Sequence, residues 1–175
     1  MAQSRELVID ASVARASGGE EATHPTAAAA RDFLLAVLTI CHKAVMTPTI
    51  RDEWDKHQSS FARKWRRSMM ARKKLNLVGL EESEDLRQKI DLINISQASK
   101  TAMLKDCHLI EAAIATDLRI ISVDAVARGL FSAASHNIEE IKDVIWVNPV
   151  TDSEQVMAWL KEGAPVQVKW QLGHK

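Results

Sequence analysis

The sequence predicts an α/β protein: a three-layer α/β/α sandwich on a four- or five-stranded parallel sheet. Two observations carry this. Four short runs are almost wholly apolar, at Leu7–Ile9, Ala44–Met46, Arg119–Val123 and Val144–Val147, which suits strands buried on both faces. Long stretches of helical periodicity separate them, long enough for the crossovers that parallel strands require. The 175 residues carry no internal repeat and no composition break, so one core is expected.

Taken in order, Leu7-Val8-Ile9 is the first strand and ends at Asp10. Ser17-Gly18-Gly19 opens a polar loop. Pro25 then starts an alanine-rich helix to about Lys43, because proline suits the first helical position. After the second strand, Thr47-Pro48 begins a helix expected to run to about Lys74, with a capping hydroxyl before the proline. Further helices are expected over Ser83–Ile95, where Glu84 and Asp85 favour the dipole, and from Ser99 to about Thr116. The third strand ends at Asp124, and Asn148-Pro149 stops the fourth. Asp152 is expected to cap a last helix to about Glu162.

Composition excludes several classes. The chain is 46% hydrophobic and 26% charged with zero net charge, ordinary for a soluble globular protein. MAQSRELVID lacks the parts of a secretory signal, and the apolar run Phe33–Cys41 is far too short to span a bilayer. No membrane contact and a cytoplasmic location are expected. Two cysteines, Cys41 and Cys107, fall in apolar helical patterns and read as small buried hydrophobes.

Four acids are expected at one edge of the sheet. Asp10 and Asp124 each follow a strand. Glu53 and Asp106 lie in the second turns of helices that start at that same edge. Crowded carboxylates repel, and a hard divalent cation relieves the conflict. Oxygen donors without a competing His/Cys set favour Mg²⁺ or Mn²⁺, which can promote phosphoryl transfer. Each acid also has a plainer use: a turn, a solvated helix position, or a cap.

The residues around them resemble PIN-domain nucleases. Val8-Ile9-Asp10-Ala11-Ser12 is similar to the family's opening strand and Asp-x-Ser. Thr47-Pro48 through Glu53 resembles its second element, and Lys105-Asp106-Cys107-His108-Leu109-Ile110-Glu111-Ala112-Ala113 its alanine-rich third. Ile120-Ile121-Ser122-Val123-Asp124 resembles the last, a strand ending in Ser/Thr-x-Asp. Order and spacing agree over residues 5–148. The resemblance implies a PIN-like domain over 1–150, with 151–175 forming a helix and tail packed on it. It further implies a Mg²⁺- or Mn²⁺-dependent endoribonuclease, often the toxin of a toxin–antitoxin pair, which leaves 5′-phosphate and 3′-hydroxyl ends. Asp10, Asp106 and Asp124 would hold metal, Glu53 would complete the shell or orient water, and Ser12 and Ser122 would bond a carboxylate or the phosphate. Small nucleases of this kind commonly form homodimers. Many members carry another acid just after the last aspartate, where this chain has Ala125 and Val126.

Residues 51–75 hold nine basic side chains against three acidic ones, a net +6 that the rest of the chain offsets with −6. Arg63, Lys64, Arg66 and Arg67 are therefore candidates to hold single-stranded RNA. A solvated helix face or a dock for an acidic antitoxin segment are the alternatives. Trp54, Phe61 and Trp65 recur near helical spacing and read as packing residues, as do Met69 and Met70. His57 reads as a surface residue, and His108, two residues past Asp106, should point elsewhere on its helix.

Two other functions remain open. One is a catalytically weak RNA-binding or partner-binding module of the same fold. The other is a different Mg²⁺-dependent phosphoryl-transfer enzyme, such as a haloacid-dehalogenase-type phosphatase. That class needs a second acid two residues after its nucleophilic aspartate, where this chain has Ser12.

Overall fold

The computed structural model describes residues 3–175. Five strands form one all-parallel sheet: β1 (Glu6–Ile9), β2 (Lys43–Met46), β3 (Leu75–Leu77), β4 (Arg119–Ile121) and β5 (Ile145–Val147). Their spatial order is β3-β2-β1-β4-β5. Val8 pairs with Val45 on one side and Ile120 on the other, and Ile120 pairs onward with Trp146. Helices flank the sheet, consistent with three layers. They are α1 (Ala11–Ala16), α2 (Pro25–Thr39), α3 (Pro48–His57), α4 (Ser60–Ala71), α5 (Glu84–Leu92), α6 (Gln97–Ile114), α7 (Ala125–Ala134) and α8 (Ser153–Lys161). One packed group joins α2 to α1, α4 and α8, and another joins α6 to α5 and α7. Leu7–Ile9 of β1 and all of β4 are buried, which explains their apolar runs.

The helix expected from Thr47 to Lys74 is two helices. Gln58 is extended, and Ser59 starts α4 by accepting from the Ala62 N–H at 3.1 Å. Tertiary bonds hold the break: Ser59 N–H donates to the Ala14 carbonyl at 3.2 Å, and its hydroxyl meets that of Ser17 at 2.8 Å. The break has a packing consequence. Trp54 and Trp65 would lie about 16 Å apart along one straight helix. Folded back, their rings stack with centroids 5.6 Å apart in the core. Trp54 and Trp65 are packing residues as expected, and Met69 is too, but Met70 is 61% exposed.

Other differences are local. The expected helix over residues 25–43 stops at Thr39, and α6 starts at Gln97 because Ser96, rather than a later residue, caps it. Asp106 thus sits deeper along its helix than its spacing from Ser99 suggests. The fifth strand allowed for is β3, which the sequence pattern does not locate: it is three residues long at the sheet edge, carries Asn76 between two leucines and has no fully buried residue, so it lacks the apolar signature. Asp152 makes no side-chain cap; the Asn148 side chain accepts from Val150 and Thr151 N–H instead. Cys107 is buried, and burial pushes its thiol up to about 12, but Cys41 is exposed. Beyond α8, Trp170 packs edge-on against Trp159 at 5.6 Å, and Leu172 N–H donates to Val144 beside β5. Among the described residues no helix is long and apolar enough to cross a membrane.

At the opposite end from the acids, His42 is fully buried just before β2. Its Nδ1 accepts from Arg5 N–H at 3.1 Å, so Nε2 carries the proton and donates to the Leu160 carbonyl at 2.8 Å. Burial, then Lys74, Arg119 and Arg5, hold its pKa below the ordinary value despite the opposing Leu160 bond. The fold therefore prefers neutral His42. Its contribution is present above the unfolded value of about 6.5 and is lost as pH falls below it. Urea unfolding from about pH 8 to about pH 5 should show this loss, up to about 1.4 kcal/mol per pH unit. The same series in His42→Gln should show a flatter slope; an unchanged slope would assign the effect to other groups.

Candidate metal and phosphate site

Strand order reverses between β1 and β4, whose chains leave to opposite sides of the sheet. Such a switch point opens a crevice at the strands' carboxyl ends. Asp10 follows β1 directly, and its N–H donates to Ile121 at 2.9 Å, which locks the two strand ends together. Asp124 lies just past β4. The middle of α6 brings Asp106, in the third turn and not the expected second, and the second turn of α3 brings Glu53. These four carboxylates, from four remote segments, line one cavity of about 110 Å³ together with Ser12.

Each carboxylate has a different state. Asp10 stands at the N-cap of α1 yet makes no capping bond. Instead its Oδ2 accepts from Ser12 Oγ at 2.5 Å and from Ser122 Oγ at 2.8 Å. Backbone donors orient those hydroxyls in turn: Val123 N–H reaches Ser12 Oγ and Asp124 N–H reaches Ser122 Oγ. Asp10 is thus positioned from both strands, which a simple turn residue would not require. Asp124 does cap α7, its Oδ1 accepting from Ala127 N–H at 2.8 Å. Its plain structural use and its place in the cavity coexist. Glu53 is partly committed to its own helix, with Lys56 at 3.4 Å and His57 at 3.5 Å. Asp106 accepts no hydrogen bond among the described residues. Burial raises its proton affinity above the usual carboxylate range; Asp10 and Asp124 add to this, and Lys105 and His108 oppose it.

Several oxygens therefore remain uncommitted toward the cavity: one on Asp10, one on Asp124 and both on Asp106. Their chemistry fits a hard divalent cation. The side chains do not form a ready cage, however: among the described residues no three His, Cys, Asp or Glu side chains converge closely enough to hold an ion as they stand. A cation would have to draw them inward.

The remaining candidates divide. Ser12 borders the cavity, and buried Ser122 supports Asp10 from behind. Arg63, Lys64, Arg66 and Arg67 lie on α4, outside the cavity lining. Lys64 pairs with Glu20 at 2.8 Å and Arg66 with Asp55 at 2.7 Å. In their place the cavity is bordered by Arg15, His57, Lys105 and His108. Arg15 escaped notice because α1 is too short to show periodicity. Lys105 was visible only as Asp106's neighbour. His108 does not point away: its Nδ1 bonds the Lys105 carbonyl at 3.0 Å, turning the ring back along the helix. Compared with family models, curated proteins and solved structures, the chain matches none of them.

Proposed function

We propose that the protein is a metal-dependent endoribonuclease of the PIN type, hydrolysing phosphodiester bonds of single-stranded RNA. The observation that carries this reading is the meeting of Asp10, Glu53, Asp106 and Asp124 in one cavity at the strand switch point. Asp10, Asp106 and Asp124 would hold Mg²⁺ or Mn²⁺. Such an ion, when bound, activates water and offsets charge on the phosphoryl oxygens. The chain's own contribution is positioning. Ser12 and Ser122 hold one Asp10 oxygen and leave the other free for the cavity. The α7 N-terminus fixes Asp124 in the same way. Glu53, steadied by Lys56 and His57, stands where it can orient a water beside the scissile phosphate.

The test is cleavage of labelled single-stranded RNA in MgCl₂ or MnCl₂. Wild type should cleave, and EDTA should stop it. Asp10→Asn keeps the side-chain shape but removes the charge, and should lower the rate about 10³-fold, equivalent to roughly 4 kcal/mol of transition-state stabilisation. Undiminished cleavage by this variant, purified identically, rejects the assignment.

A further inference from the structure

We infer that Arg15 and Lys105 are the residues that grip the RNA, holding the backbone phosphates on either side of the bond to be cut; this rests on the nuclease reading above.

The argument starts from what each cation does in the folded chain. On α3 and α4 three basic side chains are already paired, Lys56 with Glu53, Lys64 with Glu20 and Arg66 with Asp55, and the unpaired Arg63 and Arg67 lie outside the cavity lining. The side chains of Arg15 and Lys105 are exposed and make no hydrogen bond or ion pair among the described residues. Yet both border a cavity lined by four carboxylates. Two free cations beside four acids suit an incoming anion that the acids alone would repel. They come from separate elements, α1 and α6, so an extended polyanion can meet one on each.

The size of the cavity points the same way. At about 110 Å³ it is well below the 300–1,000 Å³ typical of small-molecule pockets, so it suits a phosphate group with water or a small ion rather than a nucleoside. The tryptophans interleaved with the basic residues, Trp54 and Trp65, are buried against each other and offer no face to a base. The grip therefore falls on the backbone, which makes binding sensitive to salt and tolerant of sequence.

The experiment is fluorescence anisotropy of a short, mixed-sequence, labelled single-stranded RNA in MgCl₂, titrated across a range of salt. All proteins carry Asp10→Asn to suppress cleavage. The parent should bind with a steep salt dependence. Arg15→Gln and Lys105→Gln should each weaken binding at low salt and reduce the slope of log K against log salt by about 0.7, and the double variant by about 1.4. Lys43→Gln, at the opposite sheet edge, should match the parent. If the pocket variants keep the parent slope while an Arg63→Gln/Arg67→Gln pair loses it, the RNA runs over α4 and the inference is overturned. Should the parent not bind RNA at all, the nuclease reading itself fails, and the grip with it. Unchanged melting temperatures in the single variants will separate lost contacts from lost folding.

Discussion

Asp106→Asn should stabilise the metal-free protein while inactivating it. Burial is the main reason that the Asp106 carboxyl holds its proton more tightly than usual, and the nearby Asp10 and Asp124 charges add to this. A carboxyl whose folded pKa lies above its unfolded value of about 3.9 favours the fold when protonated. That contribution is present below the unfolded pKa and is lost as pH rises through the folded one. Above its folded pKa the ionised carboxylate therefore costs the fold stability. Asparagine keeps the shape and removes the charge. In EDTA the variant should melt above wild type, each kcal/mol recovered raising the melting temperature by about 2–4 °C in a chain of this size. In MnCl₂ the order should reverse. A ligand at about 100 times its Kd adds about 2.7 kcal/mol to the wild type, and the variant should gain little of it. RNA cleavage by the variant should fall about 10³-fold. A variant that melts lower than wild type in EDTA would mean that Asp106 is an ordinary structural residue. A wild type that Mn²⁺ fails to stabilise would remove the metal from the proposal.

This conflict between stability and charge explains why much of the site could be read from the sequence. Asp10 and Asp124 follow apolar strands, and a parallel sheet sends every strand end to the same edge. The fold and the positions of the acids therefore came from one pattern. What could not be read depends on contacts distant in sequence. The local signal at Gln58-Ser59 is a single capping hydroxyl, which does not by itself break a helix; Ala14 and Ser17, some forty residues earlier, supply the bonds that hold the break. Charge density along α4 singled out Arg63, Lys64, Arg66 and Arg67, but density reports neither that Glu20 and Asp55 pair with Lys64 and Arg66 nor that all four lie outside the cavity lining. Arg15 lies on a six-residue helix that shows no periodicity.

The same topology orders the opposite edge by sign. Helices that cross back over a parallel sheet bring their C-termini to the beginning of the strands, where unpaired carbonyls concentrate negative charge. Basic residues occupy this edge just before or at the start of four strands: Arg5, His42, Lys74 and Arg119. Lys74 Nζ donates to the carbonyls of Val37, Leu38 and Ile40 at the end of α2. His42 and Arg119 bond the carbonyls of Leu160 and Ala164 at the end of α8. Lys74 and Arg119 are thus used up in holding helix ends at one edge, with neutral His42 beside them, while the four cavity acids collect at the other. Lys74 contributes to the +6 of residues 51–75, yet it serves this structural edge and not the cavity.

Trp54 connects the core to the acids, and two substitutions should separate its roles. It is fully buried, and its indole N–H donates to the Ile9 carbonyl at 2.9 Å, one residue before Asp10. Its own neighbour in sequence is Glu53. Trp54→Ala removes a large core side chain and its stacking against Trp65, so it should cost about 3–5 kcal/mol and lower the melting temperature by roughly 10 °C. Trp54→Phe keeps most of the apolar volume but leaves the Ile9 carbonyl without its donor, at about 1–3 kcal/mol. Because that carbonyl sits at the hinge between β1 and the Asp10 side chain, the phenylalanine variant should also bind Mn²⁺ more weakly than its stability loss explains. Isothermal titration of Mn²⁺, well below the melting point, reads this directly. A phenylalanine variant with native Mn²⁺ affinity would confine Trp54 to packing. A weaker affinity in a well-folded variant would make its indole N–H the link through which the core orients Asp10.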